Sequence, residues 1–268
     1  MTTDLTAKAF FEMSGFAHRE LFSEREPVWC GLKRLAEYMG DQEYTTIPSG
    51  GWRGVPLAET LVLYRGEFLN GEDLRIEYAD ATKGKLAVFR GANRLEGASV
   101  LMAGAVLIGK RIAIGRGVLI EPGALIHSPT VIGDMSEVRQ GAYLRGNCLI
   151  GSRCVAGHVT EVKNTVFFDD AKAGHFAYLG DTILGNHVNL GAGTKMANLR
   201  FVSGNVNVRT AEKTIDTGLR KFGAVLGDQT QTGCNSVTSP GTLIGKKSFL
   251  LPNTTAPSGY HPDSSMIR

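Results

Sequence analysis

The chain has 268 residues, 43% of them apolar and 21% charged, with a formal net charge of +3. A chain of this length holds one large domain or two, and its dispersed Lys and Arg argue against a nucleic-acid groove. The 34 glycines exceed ordinary globular usage, and without a G-X-Y period they do not signify collagen.

At the N-terminus, MTTDLTAKAFFEMSG carries an early acid and no long apolar run. It fits neither a secretory signal nor a membrane span, so a cytoplasmic protein without a membrane partner is expected. Glu24 to Met39 has Pro27 in a first turn and Val28, Leu32, Leu35 and Met39 along one stripe, which predicts an amphipathic helix. Leu61 to Tyr64, Leu74 to Tyr78 and Leu86 to Phe89 predict short strands between glycine-containing turns. Residues 1–95 are therefore expected to be a small α+β extension, a helix and irregular strands that cap the rest of the chain.

From Met102 an apolar residue returns every six positions, at Ile108, Ile114, Ile120, Ile126, Ile132, Val138, Leu144, Ile150, Ala156, Val162 and Phe168, until Gly174 breaks the period. It resumes at Leu184, Leu190 and Met196, and again from Leu226 to Ala256. A hexapeptide period of this texture marks a parallel β-helix. Small or β-branched residues four positions on, from Val106 to Val166, make both points of the hexad face inward. Three hexads close a triangular coil of 18 residues, and coils stack at roughly 4.8 Å. Residues 96–268 are thus expected to be an all-β solenoid of roughly seven coils, with a polar, basic excursion at 197–222. That loop is either a contact for substrate or a neighbouring subunit, or a solvated bulge.

None of Cys30, Cys148, Cys154 and Cys234 forms a CxxC pair. Cys148 and Cys154 fall on inward positions, where a thiol acts as a small hydrophobe. At the corners, Arg145 and Lys163 lie 18 residues apart, one above the other. Two stacked cations without an intervening acid call for an anion, and phosphate is the natural candidate. His175 falls two faces further round, which suggests a site shared between subunits. His127, His158 and His175 occupy different hexad positions and form no His-x4-His pair, so no metal is expected.

The stretch 143–194 contains E-x-K-N, K-A-G-H-x-x-Y-L-G-D and N-L-G-A-G-T. It resembles the C-terminal acetyltransferase domain of the bifunctional N-acetylglucosamine-1-phosphate uridyltransferase/glucosamine-1-phosphate acetyltransferase family. The resemblance implies a left-handed parallel β-helix, a homotrimer with sites at its interfaces, and acetyl-CoA as donor. Carried over by motif, Arg145, Lys163, Tyr178, Asn189 and Lys221 match residues that bind the amino sugar phosphate, and His175 matches the general base. Asn198 matches an asparagine near the acyl group, and Ala192, Cys234 and Pro252 fall on the acyl-CoA side. Leu199, Cys234 and Pro252 replace a tyrosine, a serine and an alanine of the family pattern, and ANLR with TGLRKFG looks more like archaeal and bacterial sugar-1-phosphate nucleotidylyltransferase homologues.

The G-x-G-T-R-M loop of the uridyltransferase half is missing from residues 1–100, so nucleotidyltransferase activity is not expected. The implied reaction is N-acetylation of an amino sugar phosphate such as glucosamine 1-phosphate. It needs a base for the amine proton and donors for the charge that develops on the thioester oxygen. The alternative is a non-catalytic trimeric homologue that binds sugar phosphate or partners a separate nucleotidyltransferase.

Overall fold

The computed structural model describes residues 3–46 and 52–268. Among them, short strands follow one another around a three-sided prism whose faces are sheets of nine, eleven and eight strands. Along each face the solenoid strands pair in parallel, as Ile120 with Val138 and Val138 with Ala156. Each coil thereby satisfies the backbone of the one before it. The eleven-stranded face carries nine parallel rungs, from Ser99–Leu101 to Met266–Ile267, more than the hexads alone predict.

The interior is a continuous column that includes Leu144, Ile150, Ala156, Val162, Leu184, Leu190 and Met196, as the period requires. Its register differs from the hexad count at two places. Leu101, Ala105 and Leu107 point inward in place of Met102, Val106 and Ile108, because Leu107 and Ile114 are seven residues apart around the corner at Gly109. Later, Phe167 pairs with Ile150 and Leu184 pairs with Phe167, so two successive coils close in 17 residues. The corner Gly146–Asn147, two residues at positive φ, shrinks to Asn164 alone and then to Asp181 alone. Thr165, Phe167, Ala173 and Leu179 accordingly take the inward sites, while Val166 and Phe168 turn outward.

Phe168 is covered rather than exposed. It stacks on Phe16 at 4.0 Å and lies 4.3 Å from Phe11, within a cluster that blankets the eight-stranded face. The helix Cys30–Tyr38 presents Leu32 and Leu35 to that cluster, with Val28 and Met39 just beyond its ends, so the predicted stripe is buried while the helix itself is shorter than the stretch that suggested it. Asp228 ties this segment down, because its carboxylate accepts from the Glu12 N–H at 2.7 Å and from the backbone and side-chain N–H groups of Asn186 at 2.7 and 3.0 Å.

Strand Leu61–Tyr64 pairs antiparallel with Ser99–Leu101 at the first rung. Strands Arg75–Glu77 and Ala87–Arg90 form a small sheet whose neighbourhood covers the start of the eleven-stranded face through Leu86, Val88, Val100 and Leu119. In the excursion, the hairpin Asn207–Arg209 and Thr214–Asp216 buries Val206 and Val208 against the blanket on the eight-stranded face. Its opening residues Leu199, Phe201 and Val202 stand in solvent. On the nine-stranded face, by contrast, the outward residues Tyr143, Glu161, Tyr178 and Lys195 keep surface open.

Candidate active site

Two groups of polar side chains occupy the two long edges of the nine-stranded face. At the edge shared with the eight-stranded face, Arg145 and Lys163 stack on consecutive coils, since Leu144 pairs with Val162. The 18-residue spacing shows no acid between them, yet the structure supplies two. Arg145 Nη1 lies 2.6 Å from Glu161 Oε1, and Lys163 Nζ lies 3.9 Å from Asp181 Oδ2. Strand pleating is the reason: Glu161 is two residues before Lys163 on the same face, and the 17-residue coil brings Asp181 over the Asn164 corner.

Asp181 organises this edge. Only 6% exposed, it accepts from Asn198 Nδ2 at 2.6 Å and from Asn164 Nδ2 at 2.8 Å. Tyr178 Oη reaches Asn198 Oδ1 at 3.5 Å, and burial, with Glu161 and Asp181 nearby, pushes the phenol above its ordinary value, so it stays a donor. Gly180 gives these groups room, because a Cβ there would sit 2.4 Å from Asn198 Nδ2 and 2.7 Å from Tyr178 Oη. Lys221 bridges to Leu199, and the next residue, Phe222, donates its N–H to Asn198 O at 2.9 Å, so the exposed Lys221 closes the group.

The opposite edge adjoins the eleven-stranded face. There His175, Ala192, Cys234 and Pro252 follow one another up successive coils, in step with the pairing of Ala173, Leu190, Thr232 and Leu250. His175, Asn189, Ala192 and Cys234 share a cleft of about 390 Å³ with Lys172, Arg139 and, from the N-terminal extension, Asp80 and Thr82. Gly191 and Gly233 allow the coils to stack closely here, since a Cβ on Gly191 would lie 2.5 Å from the Gly233 carbonyl carbon.

His158 pairs in register with His175, and the two imidazoles stack with centroids 5.5 Å apart. The hexad count puts these histidines at different positions, and the 17-residue coil is what aligns them. Among the described residues no group of three or more His, Cys, Asp or Glu is placed to hold a metal ion.

Within the chain, then, Arg145, Lys163, Tyr178, Asn198 and Lys221 form one group, whereas His175, Asn189, Ala192, Cys234 and Pro252 lie along the other edge and its adjoining face. Asn198, assigned from the resemblance to the acyl side, sits with Asp181 and Tyr178. Glu161 and Asp181 were legible, since both stand in the quoted motifs. Lys172 stands in one too, whereas Asp80, Thr82 and Arg139 carry no local signal and meet the cleft only through folding.

A stacked hexapeptide solenoid with polar groups on two edges of an open face is the class this architecture defines. Residues 126–217 match the family described as the GMPPB C-terminal domain. The chain is similar to the bifunctional sugar-1-phosphate nucleotidylyltransferase/acetyltransferase of Sulfurisphaera tokodaii, 38% identical over 111 residues, which are 41% of this chain and 28% of that protein. It is also 32% identical over 127 residues to the bifunctional protein GlmU of Methanococcus maripaludis, covering 47% of this chain and 31% of that protein. For GlmU of Cyanothece sp. the identity is 38% over 118 residues, with coverage of 44% and 22%. The chain thus spans less than a third of the length of the relatives it matches.

Proposed function

We propose that the chain is a coenzyme A dependent N-acetyltransferase acting on an amino sugar phosphate such as glucosamine 1-phosphate, working as a cytoplasmic homotrimer whose sites lie between copies. The observation that carries this reading is the split of the polar groups onto two edges of one open face. The anion-binding edge of one copy and the His175 edge of another complete a pocket that one chain leaves in halves. The names of the similar proteins, which include an acetyltransferase, support the reaction class. The unpaired cysteines suit a reducing compartment.

In this reading Arg145, Lys163 and Lys221 hold the phosphate. The Arg145–Glu161 pair is solvent-exposed, and such pairs contribute only about 0–1 kcal/mol, so a phosphate dianion competes with Glu161 readily. Tyr178 and Asn189 orient sugar hydroxyls. His175 accepts the proton of the amine as nitrogen bonds to the acyl carbon and returns it to the sulfur as the carbon–sulfur bond breaks, so that coenzyme A leaves as the thiol. The backbone N–H of Ala192 and the Asn198 amide stabilise charge on the acyl oxygen, while Cys234 and Pro252 line the donor's path.

The shared-site reading is tested by mixing His175→Ala chains with Lys163→Ala chains, unfolding and refolding them together, and following thiol release from acetyl-CoA. Partial recovery of turnover is expected, since some interfaces then carry both native edges. Two inactive variants that assemble but never complement would locate the site within one chain.

A further inference from the structure

The His175 cleft has a wall from outside the solenoid, and its charges do not cancel. Glu137, 4% exposed, accepts the Ala81 N–H at 2.8 Å with one oxygen and holds Arg139 through Nε at 2.8 Å and Nη2 at 2.7 Å with the other. One buried carboxylate thus fixes both the turn Ala81–Lys83 and a guanidinium. Asp80, at the lip, is matched by Lys83 at 2.7 Å and by the Thr82 hydroxyl at 2.6 Å. Glu137 with Arg139 and Asp80 with Lys83 leave no net charge.

Lys172 remains. It pairs in register with Val155 on one side and Asn189 on the other, three residues before His175, and it lines the same cleft half-buried. Its charge reaches Asp80 across the cleft and helps to lower that carboxyl, yet among the described residues no carboxylate forms an ion pair with its ammonium, whereas Arg145 and Lys163 each have one. A partly desolvated cation beside a polar cavity favours an anion over water.

We propose that Lys172, backed by Arg139 and walled by the Asp80–Lys83 turn, is an anion subsite of the His175 cleft that takes a phosphoryl group of the acceptor. This rests on the reading of that cleft as one half of an amino sugar phosphate acetyltransferase site, which the Arg145–Lys163 edge of another copy completes. It adds a phosphate contact in the same protomer as His175, and it gives the N-terminal extension a part in shaping the pocket.

The test is calorimetric titration of the full chain with glucosamine 1-phosphate, inorganic phosphate and glucosamine, comparing wild type, Lys172→Gln and Lys172→Arg. Lys172→Gln is expected to weaken glucosamine 1-phosphate about tenfold or more, as for loss of a charge-assisted contact, with glucosamine unchanged and Lys172→Arg recovering most of the loss. Weakening of inorganic phosphate as well identifies the phosphoryl group itself as the ligand. Equal binding of glucosamine 1-phosphate by wild type and Lys172→Gln overturns the subsite, and so does failure of wild type to bind either phosphate. Lys172-dependent binding without acetyl transfer upholds the subsite and removes the acetyltransferase reading, whereas transfer with Lys172-independent binding does the reverse.

Discussion

His158 lies on the rung next to His175, its imidazole 5.5 Å from that of His175 with the planes 21° apart. Among the described residues the His175 ring makes no hydrogen bond, so its orientation rests on His158 and on Phe176, 6.1 Å away. The expectation is that His158→Ala lowers kcat about tenfold, in line with the sensitivity of catalysis to small misplacement, with KM little changed, and that His158→Phe keeps most of the activity. Steady-state kinetics on the three proteins decide it. Equal kcat for wild type and His158→Ala removes the positioning role.

Gly180→Ala should disturb the Arg145–Lys163 edge without unfolding the prism. Its methyl would collide with Asn198 Nδ2 and Tyr178 Oη, and those side chains can move outward. A raised KM for the phosphorylated acceptor with an unchanged unfolding midpoint is expected. A wild-type KM would mean that the Tyr178–Asn198 arrangement does not matter for binding.

The solenoid was legible because its inward sites are filled mostly by small or aliphatic residues at a fixed period, and from Ile114 to Val162 every predicted point holds. What a six-residue count could not see is a corner that loses one residue. That single change turns Phe167 inward and Phe168 outward, aligns His158 with His175, and brings Asp181 to Lys163. Local pattern also gave no hint that Phe11, Phe16 and Phe22 would gather around Phe168, since contacts between residues so far apart in the chain follow from topology. At the candidate site, the motifs named the residues and their spacing already separated Arg145 and Lys163 from His175, while the place of Asn198 beside Asp181 and Tyr178 emerged only from the fold.

Asp80 supplies a pH prediction. Hydrogen bonds from Lys83 and Thr82 hold its carboxyl down to about 2. An unfolded Asp titrates near about 3.9, so the folded state binds this proton less readily than the unfolded state. The stabilisation of the turn is therefore fully present above that value and is lost as pH falls through about 2. Carboxyl carbon chemical shifts should show the Asp80 midpoint near 2 and its return toward the ordinary value in Lys83→Ala. An ordinary midpoint in wild type would contradict the contacts.

Asp228→Ala removes the acceptor that serves Glu12 and Asn186. Glu12 is exposed and Asn186 half-buried, so the donors left without their acceptor are partly solvated and the cost is at most about 1–3 kcal/mol; a lower thermal midpoint is expected, together with faster hydrogen exchange in residues 10–14. Unchanged exchange there would show that the N-terminal segment is held by its aromatic contacts alone.

The thiols should separate by burial. Cys148 and Cys154 are fully buried, which pushes the Cys148 thiol up to about 12 and raises that of Cys154 as well, whereas Cys234 is exposed in the cleft. A chromogenic disulfide reagent should modify Cys234 in the native protein and reach Cys148 and Cys154 only on unfolding. Prior addition of acetyl-CoA should slow the Cys234 reaction if the donor passes that side chain. Rapid native labelling of Cys148 would contradict the packed interior.

The central claim is met most directly by measuring thiol release from acetyl-CoA with glucosamine 1-phosphate, glucosamine 6-phosphate and glucosamine, for wild type and His175→Ala. Turnover with the 1-phosphate that disappears in a folded His175→Ala protein is the predicted result. Undiminished turnover in that variant, or no turnover with any of the three acceptors, would contradict the acetyltransferase reading.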